Sequence, residues 1–397
     1  MRMQIVVIGA GASGLMAAIT AARAGAAVTV LEQNEKPGRK LLATGNGRCN
    51  LTNLEQLPEK YRSTCREFPA QALAHFGVRD TIAFFSGLGV YTRNRNGWIY
   101  PNSDQASSVL DVLLMEAEHL KVKIKMRETV TGIEKTKDGF EVHTEGWKYP
   151  CSKVILTTGS PASPIEGSCE SGRQLAAPFG HSWIPMLPAL CGLRGSGAKF
   201  SAWAGVRAEG EVMLLLDGVP IRAERGELQC TDYGISGIPV FQLSRYAVRA
   251  LSENCPVSLR VDFFPDMEEE FLVKLLYTRH EQCSYKSPRQ SLTGLVHEKL
   301  IRMFWTKGMD FERLAHCLKN FTFSVRGASS LAQAQVCSGG IPCGEIDPHT
   351  MESKLTQGLY FAGEVIDVDG ACGGYNLQWA WTSGYLAGSS AAREETI

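Results

Sequence analysis

The sequence predicts an α/β fold in which a parallel sheet is interrupted by an inserted β-barrel-like module and a small helical module. Three observations predict it. Between Ile5 and Glu32 the chain runs from an apolar stretch through a glycine-rich turn and an Ala-rich stretch to a second apolar stretch. From about Leu187 to Phe264 short alternating segments with Gly turns replace that texture, and from Glu268 to Lys319 the apolar spacing becomes helical. After about residue 338 the strand–turn–helix texture returns. The expected division is a discontinuous domain of residues 1–190 plus 338–397, a β-rich module of 191–264 and a helical module of 265–337. At 397 residues the chain also exceeds what one hydrophobic core usually supports.

Ile5-Val6-Val7-Ile8 suits a parallel strand buried on both faces. Gly9-Ala10-Gly11-Ala12-Ser13-Gly14 follows. Gly9 permits the tight turn, Gly11 lets the backbone approach a pyrophosphate, and Gly14 lets helix and strand pack closely. The helix that begins here offers unpaired N–H groups and the positive end of its dipole to phosphate. Val28-Thr29-Val30-Leu31-Glu32 is the next strand. Glu32 stands 18 residues after Gly14, where a carboxylate accepts hydrogen bonds from an adenosine ribose. A 2′-phosphate would meet a like charge there, so FAD or NAD is expected and NADP is not.

Composition excludes several classes. Hydrophobic content of 44% and charge of 21% are those of an ordinary globular chain. Lys+Arg and Asp+Glu are equal at 41 each, so no global field favours nucleic acid or membrane. None of the 12 cysteines falls in CxxC spacing, and no metal site is expected. No stretch is long and apolar enough to span a membrane, and the first strand begins almost at once. A cytoplasmic protein with reduced thiols is the expectation.

Gln33 to Asn53 is a long loop of Gly, Asn, Thr and basic residues. From Lys36 to Arg66 there are seven basic residues against only Glu55 and Glu59. This reads as a loop that wraps a polyphosphate or flavin with backbone N–H donors. GRKLLATGNGRCNLTN, residues 38–53, directly after the GAGASG turn resembles the bacterial family of FAD-dependent flavoproteins of the aminoacetone-oxidase-like or BaiN-like type. Further matches cover almost the whole chain. The resemblance implies a Rossmann-like FAD-binding domain of the two-dinucleotide-binding-fold flavoprotein type. It implies FAD contacts from Gly9, Ala10, Gly11, Ala12, Ser13, Gly14, Glu32, Gln33, Arg39, Lys40, Leu41, Thr44, Gly45, Gly47, Arg48, Cys49 and Asn50.

Downstream, Gln71–Leu88 and Ser107–His119 have helical spacing, and Tyr91–Pro101 reads as a hairpin. Lys123–Met126, Val130–Lys135 and Phe140–His143 read as strands. The resemblance implies that the backbone near Val130 lies beside the adenine. Lys153 to Gly159 is an apolar strand ending in small residues, similar to a second FAD fingerprint in which Thr158 and Gly159 pass the adenosine side. Gly358 to Glu364 is similar to the motif whose acid hydrogen-bonds the ribityl chain, which implicates Gly363 and Glu364. Gly373-Gly374 opens a helix through Tyr375, Asn376 and Leu377. Its N–H groups are expected against the flavin N1–C2=O edge, where they favour the charge that develops on reduction.

Inside the insert, Gly226-Glu227-Leu228, Thr231 and Tyr233-Gly234-Ile235-Ser236-Gly237 match the family closely, but Asp232 stands where members often carry His. The flavin ring is expected between the 44–50 loop, the 373–377 helix start and the insert. No second complete GxGxxG exists, so a nicotinamide donor must visit the flavin face that substrate later occupies, giving ping-pong exchange. The favoured function is hydride transfer through flavin N5, with NAD(P)H reducing an activated C=C of the steroid or bile-acid enone type, as the resemblance implies. The alternatives are reduction of uridine to dihydrouridine in ribosomal RNA, oxidation of a small amino-ketone, and a non-catalytic FAD-binding sensor. Arg48 would polarise a carbonyl, and Cys49 or Asp232 would donate a proton. A small-molecule substrate is the expected partner. The near-neutral insert does not favour ribosomal RNA, and the oligomeric state is left open.

Overall fold

The computed structural model describes residues 2–163 and 170–393. The chain divides into two compact units, Met1–Met186 with Val336–Ile397, and Leu187–Gln335.

In the first unit the apolar run forms the central strand, Gln4–Ile8. Its residues Ile5–Ile8 pair with Lys153–Leu156 on one side and with Val28–Leu31 on the other. This explains why the run is apolar on both faces. The parallel sheet has the order Leu359–Phe361, Lys153–Leu156, Gln4–Ile8, Ala27–Glu32, Lys123–Met126. Because all five strands run the same way, their carboxyl ends deliver Gly9, Glu32, Thr157 and Ala362-Gly363 to one edge, where open α/β sheets bind ligands.

Helix Ala12–Arg23 is buried from Ser13 to Ala21 and packs against the last helix, Tyr375–Ala391. The two backbones nearly touch. A Cβ on Gly384 would stand 2.5 Å from Ser13 O, and one on Gly388 would stand 2.3 Å from Ala17 O. The expected hairpin is present as Thr92–Arg95 and Trp98–Pro101, and Thr52–Asn53 adds to its second strand. The 71–88 stretch is two helices, Phe68–Leu73 and Val78–Gly87. They break at Gly77, whose N–H donates to the Asp80 carboxylate at 2.8 Å.

The second unit is built on a closed barrel. Its strands run in the order Leu193–Ser196, Gly234–Ser236, Val219–Cys230, Arg207–Leu216, Val257–Asp262, Phe321–Ala328, and the last pairs back to the first. Arg207–Leu216 is a single long strand with an irregularity at Leu214/Leu215. One expectation is corrected here. The 265–337 stretch is not a separate module. Its helices between Glu269 and Lys319 lead into Phe321–Ala328, which closes the barrel. The division accordingly falls at 186/187 and 335/336. Phe200, Trp203, Phe321 and Phe323 pack edge to face or tilted in this unit, and Trp203 Nε1 donates to Thr231 O at 2.9 Å.

Candidate cofactor and active site

The Gly9–Gly14 turn is held by backbone. Gly9 N donates to Leu31 O at 2.8 Å, and Gly38 N donates to Ala10 O at 2.9 Å. A Cβ on Gly14 would stand 2.0 Å from Gly9 O and 2.6 Å from Thr157 Oγ1, so only glycine fits. A Cβ on Gly11 would meet nothing within 4 Å, and the helix that starts beside it carries no side-chain cap. Space and uncapped helix donors therefore coincide here, an arrangement that fits a phosphate group. Glu32 is 7% exposed. Its Oε2 accepts from Ala10 N at 2.8 Å, and its Oε1 accepts from Asn34 N at 2.9 Å and Asn34 Nδ2 at 2.7 Å. Glu128 N donates to Glu32 O and Arg127 N to Asn34 O, which brings the segment leading to Val130 beside the acid. Gln33 continues the same turn.

Thr157 carries a role that sequence reasoning assigned only to its neighbours. Its hydroxyl lies 2.8 Å from Ile8 O and 2.9 Å from Gly9 O, so it pins the glycine turn. The signal was present in the small polar residues that end this strand. Thr158 Oγ1, one residue on, is buried with no partner among the described residues, and Gly159 has open space beside it. An orphaned buried hydroxyl at the ligand edge of the sheet fits a polar cofactor there.

Arg39, Lys40 and Leu41 lie on the short helix Arg39–Ala43. Arg39 Nη1 donates to Asn34 Oδ1, Leu41 is buried, and Lys40 Nζ pairs with Glu364 Oε2 at 2.5 Å, with Ser160 Oγ donating to the same oxygen at 3.2 Å. Gly363 packs on Ser13, with a Cβ position 2.4 Å from Ser13 Oγ. Lys40 and Glu364, far apart in the chain, thus meet over the same turn.

The loop Thr44–Asn50 turns through left-handed backbone at Gly45, Asn46, Gly47 and Cys49. Asn50 fixes its end. The Asn50 amide nitrogen donates to Ile99 O at 3.1 Å and Thr52 O at 3.0 Å, and its oxygen accepts from Gly374 N at 3.3 Å. Gly374 is pressed so closely on this segment that a Cβ would stand 2.7 Å from Thr52 C. Behind it, the fully buried Gln378 accepts from Thr52 Oγ1 at 2.6 Å and donates to Thr382 Oγ1 at 3.0 Å. Asn376 is committed to the backbone of Gly370, accepting from its N and donating to its O. Tyr375 stacks edge-on to Tyr61 and is buried. The segment Gly373–Leu377 therefore has its backbone to offer a ligand, while the side chains of Tyr375 and Asn376 serve the fold.

The three residues expected to act chemically lie in different settings. Arg48 is exposed on the 44–50 loop. Cys49 has no exposed surface, and burial pushes its thiol up to about 12, so it stays protonated and gives up its proton poorly. Asp232 is exposed on the turn between two barrel strands, in the second unit. Beside it, Arg194 covers the ring of Tyr233 at 5.4 Å. Among the described residues Glu134, Glu141 and His143 form the one group of metal-ligand type, and Glu141 is already paired with Lys148.

The chain matches the HI0933-like protein Rossmann domain family over residues 3–390. It is 43% identical over 404 residues to a 3-dehydro-bile acid delta(4,6)-reductase of Clostridium scindens, spanning 98% of this chain and 99% of that one. It is 30% identical over 417 residues to a ribosomal RNA dihydrouridine synthase of Haemophilus influenzae, spanning 98% of each. A 3-ketosteroid delta1-dehydrogenase from Sterolibacterium denitrificans is similar in fold, with a TM-score of 0.51 at 12% identity over 98% of this chain and 99% of that one.

Proposed function

The chain belongs to the HI0933-like Rossmann-domain family and is an FAD-dependent oxidoreductase, and on that premise we propose that it reduces an activated C=C of a steroid-like enone with NAD(P)H as electron donor. The observation that carries this reading is the 43% identity to the bile-acid reductase over essentially both chains. Bound FAD supplies hydride transfer at its N5. The chain's own residues do the rest. Gly9 to Gly14 and the helix behind them hold the pyrophosphate, Glu32 faces the adenosine ribose, and Lys40 with Glu364 holds the linking chain. The N-terminal turn of helix Tyr375–Ala391 presents backbone N–H groups and a positive dipole end, which favour the negative charge of a reduced ring. Arg48, exposed on its loop, is free of ion pairs among the described residues and suits the carbonyl oxygen of an enone.

A second reading has its own support. The 30% identity to the dihydrouridine synthases covers nearly the whole chain, and the 36–66 segment is strongly basic. One anaerobic experiment separates the two. The purified holoprotein is bleached with NADH or NADPH and then offered a 3-keto-4-ene steroid or ribosomal RNA. Return of the flavin colour with the steroid supports the favoured reading. Return with RNA alone, lost steeply with added salt, replaces it with the second. A flavin that neither nucleotide bleaches sinks the nicotinamide part.

A further inference from the structure

Four groups next to the 44–50 loop or the 372–375 turn carry a transferable proton: Cys49, Tyr100, Cys372 and Tyr375. Three are withdrawn from chemistry. Cys49 is sealed. Tyr375 is 3% exposed against Tyr61, and burial pushes its phenol up to about 12. Cys372 is pushed by burial to about 11 and already has a partner.

Tyr100 differs. It stands on strand Trp98–Pro101, and its Cε1 lies 3.7 Å from the position a Cβ on Gly45 would occupy. Trp98, two residues earlier on the same strand, lies 3.2 Å from the position a Cβ on Gly373 would occupy, so this strand touches both the loop and the turn that bracket the proposed flavin ring. Arg95 covers its ring at 5.2 Å. The side chain is 9% exposed, and its hydroxyl makes no hydrogen bond among the described residues. A phenol with no protein partner is placed to meet water or a ligand.

We propose that Tyr100 is the proton donor of the C=C reduction, acting on the α-carbon of the enone. This rests on the enone-reductase reading above. The hydride, with its electron pair, forms the new C–H bond at the β-carbon as the π bond breaks. The α-carbon takes the phenolic proton as the O–H bond breaks. The enone gains two electrons, the flavin loses two, and the tyrosinate regains its proton from water. Burial raises the phenol above its ordinary value against the opposing pull of Arg95 and Arg48, so it enters each turnover protonated. The same two cations stabilise the tyrosinate it leaves.

The test is Tyr100→Phe in the holoprotein. FAD content, thermal midpoint, the dissociation constant of the enone for the oxidised protein and the rate of bleaching by NAD(P)H should match the parent. The rate of reoxidation by the enone should fall by roughly 10²-fold or more. A variant that reoxidises as fast as the parent overturns the proposal alone. A parent that no enone reoxidises overturns the enone-reductase reading and this proposal with it. Should Phe disturb the fold, fluorotyrosine at position 100 decides: its lower phenol pKa should move the alkaline limb of the reoxidation profile to lower pH. An unmoved limb overturns the assignment.

Discussion

Glu32 holds its own turn, since its two oxygens accept from Ala10 N and from both nitrogens of Asn34. Glu32→Gln sets an amide NH2 against one of those donors. FAD affinity should weaken by about 1–3 kcal/mol, roughly five- to 150-fold in Kd. Titration of the apoprotein by flavin fluorescence checks this, and a Kd within twofold of the parent contradicts it. His181 offers a second case. Its side chain is fully buried, with Nδ1 at 2.8 Å from Glu345 Oε2 and Nε2 at 2.8 Å from Ser353 Oγ. Ser353 Oγ already accepts from Leu355 N and Thr356 N, so its own proton must go to Nε2, and Nδ1–H donates to Glu345. Protonation of Nε2 would leave two donors face to face. Burial, opposed by Glu345, lowers the His181 pKa, so the unfolded chain binds this proton more readily. Stability should be flat above the ordinary histidine value of about 6.5 and fall as pH drops below it. Denaturant midpoints across that window should show the slope in the parent and lose it in His181→Gln. At this scale much was legible. Gly9, Gly14 and Glu32 are dictated by local sterics and charge. The role of Asn50 was not, because its partner Gly374 is supplied by a distant part of the chain.

Element packing places the strongest constraint on helices Ala12–Arg23 and Tyr375–Ala391. Gly388→Ala would put a methyl 2.3 Å from Ala17 O, and neither backbone has room to give. The expected cost is about 1–3 kcal/mol, with a lower thermal midpoint and a larger fraction of FAD released on heating. Calorimetry of holoprotein and variant checks it, and an unchanged midpoint contradicts it. The strand–turn–helix unit at the start could be read because its period and breakers are local. The barrel was harder. The 187–264 stretch showed as short alternating segments, but Phe321–Ala328 is cut off from it by helices, and only the closed hydrogen-bonding ring reveals that it belongs there.

The whole molecule has one dinucleotide fingerprint in 397 residues. On the proposed reading, with NAD(P)H as donor, nicotinamide and enone use one flavin face in turn, so initial-rate lines at several fixed enone concentrations should run parallel. Intersecting lines would show that both bind together. The contact between the first and last helices has a further consequence, for biosynthesis. A ribosome makes helix Ala12–Arg23 before the barrel and its partner Tyr375–Ala391 after it. The nascent chain therefore carries an exposed Ala-rich helix face until residue 391 has left the exit tunnel.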